Sequence, residues 1–226
     1  MARNGERSDR QRAVLWDVDG TLLDSAEYHW LSWRETMLAE GVALERAQFA
    51  ASFGQRNDAV LRSWLGSDLS DAEIDRIANI KEARYRDLMR EGGVEPLPGV
   101  RRWLDRLARD GWRQAIASSA PRLNIEAIVA ALEIEHYFDA IVSAEDVERG
   151  KPDPQVFLTA ASRLQVLPAR SIVVEDAPAG IEGARRAGMR SIGVRSSHGE
   201  LAADVVVDTL DQLADDAFDR LIGSDQ

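Results

Sequence analysis

Two carboxylates one residue apart, Asp17 and Asp19 in Trp16-Asp17-Val18-Asp19-Gly20-Thr21, stand where a short apolar run, Ala13–Trp16, ends. The run has the character of a buried strand, and strand alternation puts both acids on one side. Gly20 lets the backbone turn sharply after them. At about 4 Å and an effective dielectric near 20, two such charges repel by roughly 4 kcal/mol. The pair therefore requires a cation, a shared proton or full solvation.

Three more segments carry groups of complementary chemistry. Ser118-Ser119 end the strand-like run that begins at Gln114, and Glu175-Asp176 end the run Ser171–Val174. Lys151, in Gly150-Lys151-Pro152-Asp153-Pro154, opens the helix that follows the run Ala140–Ser143. Carboxylates, hydroxyls and one ammonium at strand ends are the ingredients of a magnesium–phosphate site. Mg²⁺ prefers oxygen ligands and binds one or two carboxylates while keeping several waters. A seryl hydroxyl and backbone N–H groups can hold phosphoryl oxygens, and lysine supplies a compact positive charge. Each segment alone has a plainer role: a strand-ending turn for Ser118-Ser119, a surface lysine for Lys151, and an acidic pair favoured by a helix dipole for Glu175-Asp176. Their common position at one end of one sheet weighs against those separate readings.

The elements that must bring these residues together fall into two parts. After the first strand no strand pattern returns until Trp112–Ala117, and the roughly 90 residues between read as helices. Trp30, Trp33 and Met37 form one helical stripe, and Val60, Leu61, Trp64 and Leu65 a second. Ser70-Asp71-Ala72-Glu73 is a capping-box signature that opens a third helix, with Ile74, Ile77, Tyr85 and Leu88 on one face. A parallel crossover needs only one helix, so residues 25–95 are expected to be an inserted helical cap, returning through Glu95-Pro96-Leu97-Pro98-Gly99.

Beyond that linker, strands near 114–117, 140–143, 171–175, 191–194 and 204–207 alternate with helices, the last expected from Leu210. The expectation is an α/β fold: a Rossmann-like, mostly parallel sheet core (residues 13–24 and 96–226) carrying the cap. Residues 1–12 are expected to be a flexible polar tail.

Composition limits the partners. A formal net charge of -11 over 226 residues disfavours nucleic acid or an anionic membrane surface, both of which demand a positive field. An anionic substrate must then be received by a few local cations. The absence of cysteine removes disulfides, a thiolate nucleophile and a cysteine-based zinc site, and permits a reducing compartment. No signal-peptide core is visible, and no uncharged apolar stretch approaches the ~18 residues needed to span a bilayer. A cytoplasmic protein is expected, with a monomer as the simplest state.

In its motifs the chain resembles the haloacid dehalogenase superfamily, in the subgroup with a helical cap after the first strand. Asp17-Val18-Asp19-Gly20-Thr21 is similar to the first family motif, Ser118 to the second, Lys151 to the third and Glu175-Asp176, continuing through Ala177-Pro178-Ala179-Gly180-Ile181, to the fourth. The resemblance spans Ala13 to Val194 and implies Mg²⁺-dependent phosphoryl transfer. It implies Asp17 as nucleophile, forming an aspartyl-phosphate, and Asp19 as general acid/base. Mg²⁺ would be held by the Asp17 carboxylate, the Asp19 backbone carbonyl and Asp176, with Glu175 nearby. Ser118 and Lys151 would hold the phosphoryl group, with Ser119 beside them facing the substrate. Members that cleave carbon–halogen bonds lack the second aspartate, and Asp19 is present.

The cap should choose the substrate. Asp24-Ser25-Ala26-Glu27-Tyr28-His29-Trp30 is similar to the stretch that opens the cap of β-phosphoglucomutases, and Gly54-Gln55-Arg56 and Lys81 match positions where those mutases face the sugar phosphate. His29, Arg56 and Lys81 are therefore expected to bind substrate. Lys81 lies in line with the apolar stripe of Ile77 and Tyr85, so it either snorkels to solvent or points into the cleft beneath the cap. The mutase pattern is departed from at Phe53-Gly54-Gln55-Arg56-Asn57-Asp58, and Asp146-Val147-Glu148-Arg149-Gly150 is closer to the phosphatases. The expected activity is a phosphatase of a small phosphorylated metabolite, by preference a sugar phosphate. The alternatives are a sugar-phosphate mutase and a non-catalytic binding protein on the same fold.

Overall fold

A computed structural model describes residues 11–223. Of the expected tail, residues 1–10 lie outside the described residues. Arg12 belongs to the core instead: its guanidinium pairs with Asp219 and lies 4.4 Å from the centre of the Trp112 ring.

The chain divides into two compact units, one holding the described residues up to Asp24 and from Glu95 onward, the other Ser25–Val94. In the first unit β1 (Ala13–Trp16), β2 (Arg113–Ala117), β3 (Ala140–Val142), β4 (Ser171–Glu175), β5 (Arg190–Val194) and β6 (Val205–Val207) form one parallel sheet. The spatial order is β3-β2-β1-β4-β5-β6. All four residues of β1 are fully buried, as expected of a central parallel strand covered on both faces.

The helices of this unit supply the two covers. On one face Leu15, Ala115, Ala117 and Val173 pack with Phe157 and Leu164 of α7 (Gln155–Leu164) and with Ala184 of α8 (Pro178–Arg186). On the other, Trp16 Nε1 donates to Gln114 Oε1 at 3.0 Å, and Gln114 Nε2 donates to the Leu104 carbonyl of α5 (Val100–Arg109). These bonds satisfy polar groups that would otherwise be buried without partners.

Helix α6 (Arg122–Ala131) is held at its start by the Glu145 carboxylate, which accepts from the Arg122 N–H. One boundary differs from expectation. The helix expected from Leu210 is only one 3₁₀ turn, Leu210–Gln212, and α9 (Ala217–Ile222) begins later. There the Gln212 side chain accepts from the Asp208 N–H, and Leu213 is extended.

The second unit consists of α1 (Ala26–Ala39), α2 (Arg46–Ser52), α3 (Asn57–Leu65) and α4 (Asp71–Gly92). Trp30, Trp33, Met37, Val60, Leu61, Ile74 and Ile77 form its core. The Ser70–Glu73 capping box is formed in both directions at the start of α4. Among the described residues no helix is long and apolar enough to cross a membrane.

Candidate active site

The strand register builds the site. Trp16 is level with Ile116 of β2 and Val174 of β4, so the residues that follow all three emerge at one sheet edge. The Asp17 N–H donates to the Val174 carbonyl at 3.0 Å, and the Ser118 N–H donates to the Val142 carbonyl at 3.0 Å. The sheet ladder thus extends just far enough to fix Asp17 and Ser118. Ser118 is buried, and its hydroxyl accepts from the Ala120 N–H, shaping the loop that carries Ser119 at partial burial.

Asp17, Glu175 and Asp176 are 6%, 1% and 2% exposed, and each offers a carboxylate oxygen within 4.8 Å of the others. Lys151 reaches across to them: its Nζ donates to Asp17 Oδ1 at 2.6 Å and to Glu175 Oε1 at 2.7 Å. Full solvation, one of the ways to relieve crowded acids, is therefore ruled out here. Three carboxylates facing one ammonium leave a surplus of two negative charges when all are ionised, the charge a divalent cation would balance.

The titration behaviour follows from this crowding. Burial pushes the Asp17 carboxyl up to about 8, with Lys151 pulling against it and Glu175 and Asp19 adding to it. Burial pushes Asp176 up to about 9, reinforced by Glu175 and Asp17. For Lys151 burial acts to lower the pKa, but the charges of Asp17 and Glu175 outweigh it and hold it above its ordinary value.

Asp176 Oδ2 is buried with no hydrogen-bond partner. A buried carboxylate oxygen left over in an all-oxygen donor set is what a hard cation such as Mg²⁺ would take up, so these residues fit a metal. Gly20 makes this packing possible: its φ is +80°, and a Cβ there would lie 2.1 Å from Asp176 Oδ2. Asp19 is half-buried outside the tight carboxylate group, yet its charge is felt at Asp17.

One contributor carried no sequence signal. In the loop after β5, Ser197 lies beside Gly20 and the Asp176 carboxylate, where its hydroxyl works against the burial that raises that carboxyl, and the Ser196 hydroxyl donates to the Gly20 carbonyl. Hydroxyl-bearing loop residues are ordinary turn formers, so nothing in Arg195-Ser196-Ser197-His198 distinguished them beforehand.

The remaining expected residues lie in the second unit. Lys81 does not snorkel: it is 1% exposed, with its Nζ 2.8 Å from His29 Nδ1 and 2.8 Å from Glu82 Oε1. Asn57 Nδ2 donates to the same Glu82 oxygen at 2.7 Å, and His29 stacks on Tyr85 with ring centres 4.1 Å apart. Burial acts to raise the Glu82 pKa, but Lys81, His29 and the bond from Asn57 bring it below the usual carboxylate range. Arg56 precedes α3 and pairs with Asp58 at 3.3 Å. The structure thus brings His29 and Lys81 together, and joins Asn57, the residue after Arg56, to their network.

Comparison with known proteins agrees with this architecture. A family model described as haloacid dehalogenase-like hydrolase matches residues 14–194. The β-phosphoglucomutase of Bacillus subtilis (strain 168) is 35% identical over 202 residues, 87% of this chain and 88% of that protein. The fructose-1-phosphate phosphatase YqaB of Escherichia coli (strain K12) is 32% identical over 190 residues, 83% of this chain and 98% of the relative. The crystal structure of a mutant CbbY from Rhodobacter sphaeroides in complex with xylulose-(1,5)bisphosphate matches with a TM-score of 0.83 at 28% identity, covering 90% of this chain and 96% of that one.

Proposed function

Since the chain belongs to the haloacid dehalogenase-like hydrolase family, we propose that it is a Mg²⁺-dependent phosphatase of a small phosphorylated carbohydrate, acting through an aspartyl-phosphate on Asp17. The observation that carries this reading is the Lys151 ammonium bonded to Asp17 Oδ1 at 2.6 Å, beside the unpartnered Asp176 Oδ2. A carboxylate nucleophile, a cation for the transferring phosphoryl group and a free metal-ligating oxygen share one buried spot.

Asp17 attacks phosphorus, and the bond from phosphorus to the leaving alcohol breaks while Asp19 gives that alcohol its proton. Asp19 then takes a proton from water as the water oxygen bonds to phosphorus. The link from phosphorus to the Asp17 oxygen breaks, releasing inorganic phosphate and restoring both carboxyl groups. Lys151 and Ser118, with the backbone N–H groups of the loop at Ser119, stabilise the equatorial oxygens. Mg²⁺ would be held by Asp17, Asp176 and the Asp19 carbonyl, and when bound it supplies charge neutralisation that keeps Asp17 ionised. In the cap, His29, Lys81 and Arg56 are assigned to the carbohydrate end of the substrate.

A mutase is the second reading, supported by the 35% identity to a β-phosphoglucomutase. The two differ in whether water or a substrate hydroxyl meets the aspartyl-phosphate. A phosphate-release screen over sugar phosphates with Mg²⁺, run beside conversion of β-glucose 1-phosphate to glucose 6-phosphate, separates them. Free phosphate from a sugar phosphate is expected. Isomerisation without free phosphate would replace the phosphatase reading, and inactivity of wild type across both assays would remove the catalytic one.

A further inference from the structure

Glu175 ends β4 at 1% exposure and uses both carboxylate oxygens. Oε1 accepts from Lys151 Nζ at 2.7 Å, and Oε2 accepts from the Ala177 N–H at 2.8 Å. To make both bonds the side chain folds back over the first turn of α8 and lies directly against Gly180. A Cβ at position 180 would stand 1.8 Å from Glu175 Oε1, 2.0 Å from Cδ and 2.6 Å from Cγ.

Those distances exclude any side chain at 180 while Glu175 holds this conformation. The backbone does not account for the glycine, because Gly180 is absent from the positive-φ positions and sits in an ordinary helical turn. Glycine is a poor helix former, so alanine would be the better residue on local grounds. Gly183, one turn further along α8, has looser surroundings: a Cβ there meets the Phe157 ring edge at 3.0 Å. The severe overlap is specific to Glu175.

We propose that Gly180 is a positioning residue for phosphoryl transfer: the space left by its missing side chain seats the Glu175 carboxylate, which in turn aims Lys151 at Asp17. Gly180 touches no reacting atom and acts only through Glu175. This inference rests on the assignment of Lys151 to the phosphoryl group.

The test is a cycle of Gly180→Ala, Glu175→Ala and the double variant, assayed with p-nitrophenyl phosphate and Mg²⁺. Alanine at 175 removes the Cγ, Cδ and Oε1 atoms that a Cβ at position 180 would meet. Gly180→Ala alone is expected to lower kcat at least tenfold with KM changed less than about threefold, since the ground-state pocket is untouched while the transition-state cation is misplaced. In the Glu175→Ala background the same alanine should change kcat by less than about twofold. Equal effects of the alanine in both backgrounds, or wild-type kcat in Gly180→Ala, would overturn the inference.

Thermal melting supplies a second reading that does not require turnover. Gly180→Ala should lower Tm, or prevent folding, only where Glu175 is present. A failure to fold in both backgrounds would place the clash elsewhere and overturn the proposal. If wild type hydrolyses no ester, the functional reading fails, and the seating of Glu175 is still decided by this melting cycle.

Discussion

The raised carboxyls make metal binding a proton-releasing event. With Asp17 pushed up to about 8 and Asp176 to about 9, both are protonated in the metal-free protein near neutrality. A cation requires both to ionise, so binding expels two protons, and the apparent Mg²⁺ dissociation constant should fall about 100-fold from about pH 6 to about pH 7. The slope should drop to about tenfold per pH unit between about 8 and 9 and vanish above that. Titration calorimetry at several pH values, in buffers of different ionisation enthalpy, counts the protons directly. A Kd independent of pH over this interval, with no buffer-dependent heat, would falsify the crowded-carboxylate argument.

The same raised carboxyls affect stability. A carboxyl whose folded pKa is raised contributes stability that is complete below its ordinary pKa near 4 and is lost as pH rises through the folded value. For Asp17, pushed up to about 8, the loss is on the order of 5 kcal/mol, since each tenfold change in acidity is worth about 1.4 kcal/mol. Mg²⁺ offsets it, so the gap in Tm between Mg²⁺-loaded and metal-free protein should widen from about pH 6 to about pH 9.

Other perturbations address the site one part at a time. Asp17→Asn should abolish phosphate release, whereas Asp19→Asn should slow it by about 10²–10⁴-fold; wild-type turnover in either removes its assigned role. Lys151→Ala should destabilise the fold by about 3–5 kcal/mol in urea unfolding, because it removes the cation against which the Glu175 carboxylate is buried. Lys81→Ala and His29→Ala should lose discrimination among sugar phosphates while keeping hydrolysis of a generic ester, and unchanged specificity in both counts against the cap assignment. Ser70→Ala should cost about 1 kcal/mol in the same unfolding assay through loss of the α4 cap, with kcat unaltered.

The sequence showed the chemical groups more clearly than their contacts. Asp17 was legible because β1 is an uninterrupted apolar run that stops at a charge, and Ser118 because β2 ends the same way. Lys151 and Glu175 were visible as residue types at strand ends. Their mutual bond was not, since it depends on two segments 24 residues apart meeting across the sheet edge. Lys81 illustrates the limit of periodicity. Its place on the apolar stripe of α4 correctly marked an inward position, but the partners that make burial tolerable, Glu82 beside it and His29 on α1, lie off that stripe or on another helix. The helix expected from Leu210 failed for a related reason, because Gln212 bonds back to Asp208 and the chain extends at Leu213.

The ends of the core segment that flank Ser25–Val94 are tied to each other. Leu23 and Pro96 form an antiparallel bridge, and the Leu97 N–H donates to the Leu22 carbonyl at 2.9 Å. The whole excursion therefore has the topology of an enlarged loop closed by its own short ladder. Closing a loop costs free energy only logarithmically with its length, so a core shortened to a tight turn between Leu23 and Pro96 loses little on that account. The insertion and the sheet that carries Asp17 are consequently separable stretches of chain, and this joint is the natural seam for grafting one helical insertion onto another core.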